Sequence, residues 1–169
     1  MSNTNKETDF LEILANHKNQ IYRVCWGFVS QADDVNDLFQ EVVMNVWKGM
    51  DGFRKESAYS TWIQRIAINT CILWKKQDKK KQDLLSSQMD MPQIENEEYS
   101  EKENPKIKHL KTAIDKLKKM DRSIILLLLE GLSYKELSEV TGLTVSHVGV
   151  RVNRIKKQLK SLMSEKTQK

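Results

Sequence analysis

The stretch that most constrains the fold runs from Gly131 to Leu162 and begins with the pattern of a short, capped helix. Ser133 is followed three residues later by Glu136, an arrangement in which each residue satisfies an orphan N–H group at a helix start. This capping box predicts a helix from Tyr134 to about Val140. Gly142 then supplies the positive φ that ends a helix, because it has no Cβ to clash with the backbone.

A longer helix is predicted to follow this turn, with Thr144 as its cap. Its apolar residues recur at intervals of four, three, four and three, which places them on one buried stripe: Val148, Val152, Ile155, Leu159 and Leu162. The other face is mostly polar and basic, and it carries Ser146, His147, Val150, Arg151, Asn153, Arg154, Lys156 and Lys157. Two helices joined by a Gly-containing turn, the second basic on its exposed face, are typical of a DNA-binding helix-turn-helix; a helical hairpin with a solvated basic face is the alternative.

Charge divides the chain into three segments. Residues 1–82 carry 12 Lys/Arg and 10 Asp/Glu, residues 83–104 carry 1 and 7, and residues 105–169 carry 15 and 6, which gives net charges of +2, −6 and +9. The middle segment lacks helical periodicity, so we expect two small helical domains, an N-terminal bundle and a C-terminal helix-turn-helix, joined by a flexible acidic linker. The +9 segment predicts a polyanionic partner, because phosphate neutralisation supplies most non-specific DNA affinity.

Composition argues against several other classes of protein. Six Gly and two Pro are few for an all-β protein with many turns, which favours an all-α fold. No apolar run approaches the ~20 residues that span a bilayer, and the first ten residues lack the basic-then-apolar order of a signal peptide. We therefore expect a cytoplasmic protein without membrane insertion of its own. Cys25 and Cys71 both lie in helical apolar patterns and are interpreted as packing residues, so neither a disulfide nor a metal site is predicted, since a zinc site needs about four closely spaced ligands. His17, His109 and His147 are scattered, and no cofactor site or enzymatic centre is predicted.

Helical periodicity and start signals recur outside the helix-turn-helix. Three helices are predicted in the N-terminal half: from Thr8 or Asp9 to about Gly27, from about Asp33 to Lys48, and from Ser60 or Thr61 to about Lys81. Residues 51–60 are predicted to form a polar loop with two aromatic side chains. In the C-terminal segment, Asn104 followed by Pro105 predicts a helix start, and Asp121 is predicted to cap the next helix, whose Ile124–Leu129 run is a buried segment.

Two motifs of the N-terminal half resemble the second conserved region of sigma factors, in the extracytoplasmic-function group. The first places Asp, Gln-Glu-Val and Val-Trp between Asp37 and Trp47, within the second predicted helix. The second, FRKESAYSTWIQRIAIN, runs from Phe53 to Asn69, with Tyr59 and Ile63 as conservative departures. The helix-turn-helix stretch, with GLSYKEL and GLTVSHVGVRVNRIKKQL, resembles the C-terminal region of the same factors. The resemblance covers about residues 10–82 and 105–163 in the order of the family.

This resemblance implies that the helix-turn-helix binds the upstream promoter element. The residues assigned to that role lie on the recognition helix: Ser146, His147, Val150, Arg151, Asn153, Arg154 and Lys157. Arg151 either reads a guanine edge or holds a phosphate, and Val150 either touches a thymine methyl group or is an ordinary exposed apolar residue. Arg154 and Lys157 are interpreted as phosphate contacts or as part of a solvated face.

The resemblance further implies that the N-terminal domain takes and opens the downstream element. Stacking on aromatic side chains offsets the cost of unstacking bases, and the residues assigned to strand capture are Phe53, Arg54, Ser57, Tyr59, Trp62, Asn69, Lys75 and Lys76. Asn69 either hydrogen-bonds a flipped base or belongs to a turn or buried hydrogen bond, and Trp62 is either a base platform or core. The sequence departs from the family after Asn69, where CILW replaces the usual Asp and Arg positions and leaves the duplex contacts open.

Core RNA polymerase, promoter DNA and an anti-sigma factor are the partners that the resemblance implies. The helical stretch Asp37–Trp47 resembles the family's surface for the clamp helices of the largest polymerase subunit. The residues assigned to that surface are Asp37, Gln40, Glu41, Asn45 and Trp47. The acidic linker either lies in a polymerase channel that carries nucleic acid or is a solvated spacer.

Taken as a whole, the resemblance predicts an alternative sigma factor that directs promoter recognition, DNA opening and transcription initiation. A helix-turn-helix regulator that acts without polymerase is one alternative, and the match over residues 33–69 argues against it because such a regulator needs no strand-capturing loop. A sigma-like protein that binds polymerase or an anti-sigma factor without melting DNA is the other. The residues near Trp74 leave that alternative open.

Overall fold

The computed structural model of the chain describes residues 3–29, 31–74 and 104–165. Every regular element within these ranges is helical, which confirms the all-α prediction. The chain divides into two compact units, Met1–Asn96 and Glu97–Lys169. The predicted linker, residues 83–104, lies outside the described residues except for Asn104.

The first unit packs three helices around a shared core. They are α1 (Asn3–Phe28), α2 (Ala32–Gly49) and α3 (Tyr59–Leu73), and a 3₁₀ turn at Met50–Gly52 follows α2. Each helix contacts the other two. The buried side chains between them include Phe10, Ile21, Val24, Leu38, Val42, Ile63 and Ala67. Burial of a large apolar side chain stabilises the fold by ~1.5–3 kcal/mol, so this core, more than helix propensity, holds the three helices together.

Helix α1 begins at Asn3, so the prediction that Thr8 or Asp9 caps it was wrong. The Thr8 hydroxyl donates to the carbonyl oxygen of Thr4 at 2.9 Å. This is a bond back to the preceding turn of a continuing helix, which a hydroxyl can make in mid-helix as readily as it caps a helix start.

Tertiary contacts of Lys6 account for the additional turns of α1. Lys6 Nζ lies 2.7 Å from Asp51 Oδ2 in the 3₁₀ turn and 4.4 Å from the centroid of the Trp47 ring. An ion pair and a cation–π contact thus tie the start of α1 to the end of α2. Both partners are more than 40 residues away in the chain, so no local pattern predicts this helix start.

The boundaries of α2 and α3 agree with the prediction except at the end of α3. The structure extends the predicted Asp33–Lys48 helix by one residue at each end. Helix α3 ends at Leu73, not near Lys81, because Trp74 has an extended backbone (φ −64°, ψ 130°). Leu73 is 76% exposed, so the final side chain of the helix adds little burial, whereas Thr70 and Cys71 of the same turn are buried. Residues 75–81 lie outside the described residues.

The second unit contains α4 (Pro105–Asp115), α5 (Lys119–Leu129), α6 (Tyr134–Thr141) and α7 (Val145–Glu165). Asn104 caps α4 as predicted, since its Oδ1 accepts from the Lys106 N–H at 3.0 Å. Helices α4, α5 and α6 all contact α7. The core between them includes Ile114, Ile124, Leu127, Leu137, Val148, Val152 and Ile155.

The prediction that Asp121 caps a helix was wrong, because α5 already begins at Lys119. Asp121 lies within the first turn, where the helix dipole favours a negative charge. Its carboxylate accepts from Arg151 Nη1 of α7 at 3.0 Å. The Asp121 carboxylate therefore forms a tertiary ion pair and not a hydrogen bond that caps the helix.

The local signals of the helix-turn-helix are confirmed. The Glu136 N–H donates to Ser133 Oγ at 3.2 Å, and the Ser133 N–H donates to Glu136 Oε2 at 2.7 Å, which completes the capping box of α6. Gly142 ends α6 with a φ of 78°. Thr144 Oγ1 accepts from the His147 N–H at 3.2 Å and thereby caps α7. These bonds fix the turn between α6 and α7.

Replacing Gly142 with alanine is expected to lower the free energy of unfolding of the second unit by about 1–2 kcal/mol, the cost of a left-handed backbone for a residue with a Cβ. A Cβ at Gly142 meets nothing within 4 Å, so the backbone alone causes the loss. Thermal unfolding should show a melting temperature lower by about 4–8 °C per kcal/mol. Gly52→Ala is the matched control, since a Cβ there is also unobstructed and its φ is not positive. Equal melting temperatures for the two variants would contradict the prediction.

Candidate nucleic-acid interface

Helix α7 buries one face and presents the other to solvent. The predicted stripe is buried at Val148, Val152, Ile155 and Leu159 and half-buried at Leu162. Six of the seven residues predicted for the upstream element are exposed: Ser146, His147, Val150, Asn153, Arg154 and Lys157. Val150 exposes 64% of its surface. This face combines cations, small polar groups and one apolar side chain, which suits phosphates, base edges and a thymine methyl group.

Arg151, the seventh predicted residue, lies at the boundary between the two faces. Its Nη1 donates to Asp121 Oδ1 at 3.0 Å, and the two side chains are 27% and 14% exposed. The recognition helix is thus joined to α5 by a partly buried ion pair, which spacing along α7 alone does not reveal.

Three aromatic side chains predicted for strand capture form one cluster at the start of α3. The rings of Phe53 and Tyr59 stack with their centroids 4.4 Å apart and an interplanar angle of 29°. Trp62 lies 4.8 Å from Phe53 and meets Tyr59 nearly edge-on at 6.3 Å. Tyr59 is exposed, whereas Phe53 and Trp62 are half-buried. The cluster therefore offers aromatic surface at the edge of the unit while its rings support one another.

The loop that carries this cluster begins with a hydrogen-bonded turn. The Phe53 N–H donates to the Met50 carbonyl oxygen at 3.2 Å, which closes the 3₁₀ turn, and Lys55 has a positive φ of 56°. Arg54 is exposed and Ser57 is half-buried. The sequence patterns predicted no role for Gly49. A Cβ at this position would lie 3.0 Å from Trp62 Cζ2. Gly49 therefore gives the Trp62 ring room to pack on the end of α2.

Asn69 lies on α3 beyond the aromatic cluster and is exposed. It follows Trp62 by seven residues, which places it on the same side of the helix about 10 Å farther along the axis. The structure thus leaves Asn69 accessible, at some distance from the aromatic rings. Lys75 and Lys76, also predicted for this interface, lie outside the described residues.

The α2 residues predicted to contact polymerase differ in their burial. Asp37, Gln40, Glu41 and Asn45 are half-buried. Asn45 Nδ2 donates to Thr70 Oγ1 at 3.0 Å, which joins α2 to α3. Trp47 is only 8% exposed, and its ring meets Phe10 edge-on at 5.0 Å beneath the Lys6 ammonium group. The structure therefore places Trp47 in the core of the first unit and the other four residues nearer its surface.

Comparison with known families decides the identity of the fold. The profile of Sigma-70 region 2 matches residues 13–81, and the profile of Sigma-70, region 4 matches residues 108–159. The chain belongs to the sigma-70 family. The first match contains the aromatic cluster and α2, and the second contains the helix-turn-helix. The resemblance identified from the two sets of motifs is confirmed.

The matches between this sigma factor and individual relatives cover most of its length. It is 26% identical over 148 residues to the RNA polymerase sigma factor SigV of Bacillus subtilis, which covers 87% of the chain and 86% of SigV. It is 22% identical over 161 residues to the ECF RNA polymerase sigma-E factor of Haemophilus influenzae, with 88% and 84% covered. The solved structure of the sigma factor RpoE of Bartonella quintana, in complex with the anti-sigma factor NepR, matches with a TM-score of 0.68 at 23% identity over 92% of this chain and 97% of that one. These relatives place the chain in the extracytoplasmic-function group.

Both cysteines of this sigma factor are free and buried, Cys25 on α1 and Cys71 on α3. Burial raises the pKa of the Cys25 thiol well above its ordinary value, and the neighbouring Cys71 raises it further. Cys25 therefore stays protonated at neutral pH and packs as a small apolar residue.

Alkylation of Cys25 and Cys71 by iodoacetamide is expected to occur only when the first unit unfolds, because the reagent requires an accessible thiolate. Mass spectrometry after timed exposure, in buffer and in denaturant, would check this. The denatured protein is the positive control and should be modified at both positions. Rapid modification of either thiol in buffer, while circular dichroism shows a folded protein, would contradict the expectation.

Two further observations concern residues 3–29, 31–74 and 104–165. Within these ranges no group of three or more His, Cys, Asp or Glu side chains is arranged to hold a metal ion. None of the helices described there is long and apolar enough to cross a membrane.

Proposed function

We propose that this sigma factor directs core RNA polymerase to promoters by holding the two promoter elements with different units. The helix-turn-helix of α6 and α7 binds the upstream duplex, and the aromatic loop with α3 takes and opens the downstream element. Both are binding roles, so catalysis remains with the polymerase. The chain acts in the cytoplasm, where polymerase and chromosome are found.

The aromatic cluster is the observation that carries this proposal. Phe53, Tyr59 and Trp62 lie in mutual contact at the edge of the first unit, next to the exposed Arg54. A regulator that binds duplex DNA needs no such group, whereas a protein that opens DNA must hold unstacked bases. The cluster therefore favours promoter opening over simple duplex binding.

The energetics of strand capture suit these side chains. Flipping a base out of a duplex costs a few kcal/mol, and stacking on an aromatic ring offsets ~1–3 kcal/mol per base. Tyr59 and the accessible part of Phe53 offer such faces, and Trp62, whose ring packs on the end of α2, supports them. Asn69, exposed farther along α3, can donate to and accept from the edge of a flipped base.

On the upstream element, position along α7 assigns the roles. Ser146, His147 and Val150 lie in the first turns of α7, the part of a recognition helix that meets base edges. Asn153, Arg154 and Lys157 lie farther along the exposed face, where cations and amides contact phosphates.

Helix α2 is the proposed surface for the clamp helices of the largest polymerase subunit. Asp37, Gln40 and Glu41 are half-buried and, by their spacing, share one side of that helix. Asn45 holds α2 against α3 through Thr70, and Trp47 supports α2 from the core. The surface is thus carried by a helix whose orientation is fixed from both sides.

An anti-sigma factor is the regulatory partner that we propose for this chain. The RpoE structure that it resembles was solved with the anti-sigma factor NepR. A protein partner that covers α2 or α7 would keep the chain from polymerase or from DNA until it is released.

Transcription by purified core polymerase on a library of genomic fragments, with and without the chain, tests the proposal. Discrete start sites that appear only with the chain would support it, and the sequences they share would give both promoter elements. Duplex binding by the chain alone, without any effect on polymerase, would favour a polymerase-independent regulator. Polymerase binding without new start sites would favour a sigma-like protein that does not melt DNA.

A further inference from the structure

Arg151 differs from its neighbours on α7 because its side chain is engaged within the protein. Its guanidinium donates to the Asp121 carboxylate at 3.0 Å, and both side chains are largely covered. His147, Val150 and Arg154 are exposed on the same helix. An arginine that reads a guanine edge must present two N–H groups to the groove, and Arg151 would have to leave Asp121 to do so.

The position of Arg151 around the helix explains its contact. With about 100° of rotation per residue, Arg151 lies about 70° from the centre of the buried stripe formed by Val148, Val152, Ile155 and Leu159. Val150 lies about 170° from that centre, on the far side. A side chain at the edge of the buried face reaches the neighbouring helix, which here is α5 with Asp121 in its first turn.

Charge also favours retention of this pair when DNA is bound. Asp121 is 14% exposed, so loss of its cation would leave a carboxylate with little access to water. A half-buried charge without a partner is strongly unfavourable. An uncompensated carboxylate beside the recognition helix would in addition repel the phosphates that Arg154 and Lys157 attract.

We infer that Arg151 is a positioning residue that anchors α7 to α5 through Asp121, and that the upstream sequence is read by the outer face around His147 and Val150. The inference rests on the proposed function, because it requires that α7 enters the groove of the upstream element. It assigns Asp121 to promoter recognition although Asp121 itself has no contact with DNA.

Anchoring and base reading have different consequences for sequence preference. A base-reading arginine discriminates at one base pair, so its loss relaxes specificity at that position. An anchor sets the angle of the whole helix, so its loss weakens binding to all upstream sequences by a similar factor and keeps their order of preference. Loss of either partner should have the same effect, and loss of both should be no worse.

The experiment uses holoenzyme formed from the full chain and core polymerase, with a promoter library randomised over the upstream element. Arg151→Met and Asp121→Asn are each expected to lower overall occupancy by about tenfold, as for loss of a charged hydrogen bond, without a change in preference. The double variant should match the weaker single variant. The exchanged pair, Asp121→Arg with Arg151→Asp, should recover part of the occupancy, which a base-reading role does not allow. Melting temperatures show whether each variant is folded at the assay temperature.

Asp115→Asn is the matched control, because Asp115 pairs with Lys111 at 3.5 Å in the same unit and lies on α4. Its occupancy should equal that of the unmodified chain. Relaxed preference at a single base pair in Arg151→Met, or unchanged occupancy in Asp121→Asn, would overturn the inference alone. An unmodified holoenzyme that prefers no upstream sequence would overturn the proposed function and the inference with it.

Discussion

Replacing Phe53 and Asn69 together with alanine is expected to abolish promoter opening while binding to the upstream element survives. Phe53 touches both other rings of the aromatic cluster, at 4.4 Å and 4.8 Å between centroids, so its loss removes one stacking face and the support of another. Loss of one stacked base removes ~1–3 kcal/mol, and loss of a hydrogen bond to a flipped base removes about 1 kcal/mol. Open complexes should therefore become rarer by about 100-fold, since each 1.4 kcal/mol is a factor of ten.

Permanganate reactivity of unpaired thymines measures opening directly, and a mobility shift with an upstream duplex measures the other unit. A promoter with a preformed mismatch bubble should restore part of the activity of the double variant, because the cost of unpairing has been removed. Phe53→Trp should retain opening, since any flat aromatic face can stack on a base. Asn19→Ala, at an exposed position on α1, is the control for loss of an asparagine. Normal permanganate reactivity with the double variant would contradict the assignment of strand capture to these residues.

The helix-turn-helix was predictable from sequence because short-range bonds determine it. The capping box of Ser133 and Glu136 joins residues three positions apart, and Thr144 caps α7 in the same way. Gly142 is required by its own backbone angle. Each of these signals depends only on residue type and spacing, so both ends of α6 and the start of α7 follow from the chain itself to within a residue.

Features that depend on distant contacts were not predictable. The early start of α1 depends on Lys6 meeting Asp51 and Trp47, and the pairing of Asp121 depends on Arg151, 30 residues farther along. Helical spacing tells which residues share a face, and it does not tell which neighbouring element covers that face. Local spacing therefore predicted that these helices form, whereas tertiary contacts decided where α1 begins and which partner Asp121 has.

The candidate site also combines features that the local sequence predicts with features that depend on distant contacts. The sequence indicated a loop with Phe53, Tyr59 and Trp62 as suitable side chains, but their mutual contact arises from the 3₁₀ turn and from the place that Gly49 leaves for Trp62. In the sequence, a glycine at the end of a helix looks the same whether it is required for packing or simply ends the helix. Its role becomes visible only when the approach of the indole is measured.

Trp47→Ala is expected to lower the free energy of unfolding of the first unit by about 3–5 kcal/mol, the range for removal of a large aromatic side chain from a core. Trp47 is 8% exposed, packs edge-on against Phe10 and lies beneath Lys6, so its removal leaves a cavity and also frees the start of α1. Because small domains are stable by only about 5–15 kcal/mol, the variant should be close to unfolding at physiological temperature. Trp47→Phe should recover much of the loss, since an aromatic ring can still meet Phe10. Leu73→Ala is the control, because it removes a large apolar side chain that is 76% exposed.

Polymerase binding as a function of temperature then separates the two roles that Trp47 can have in α2. If Trp47 supports the surface from the core, Trp47→Ala binds polymerase normally at low temperature and loses binding in parallel with the loss of helical circular dichroism. If the indole itself touches polymerase, Trp47→Ala binds polymerase weakly even at temperatures at which it is fully folded. The burial of Trp47 makes the first result the expected one. Gln40→Ala, which changes a half-buried residue of the same helix, should show the second behaviour, with weakened binding at an unchanged melting temperature. The opposite result, weak binding by folded Trp47→Ala and normal binding by the other variant, would place the polymerase contact on the core side of α2. It would contradict the proposed surface.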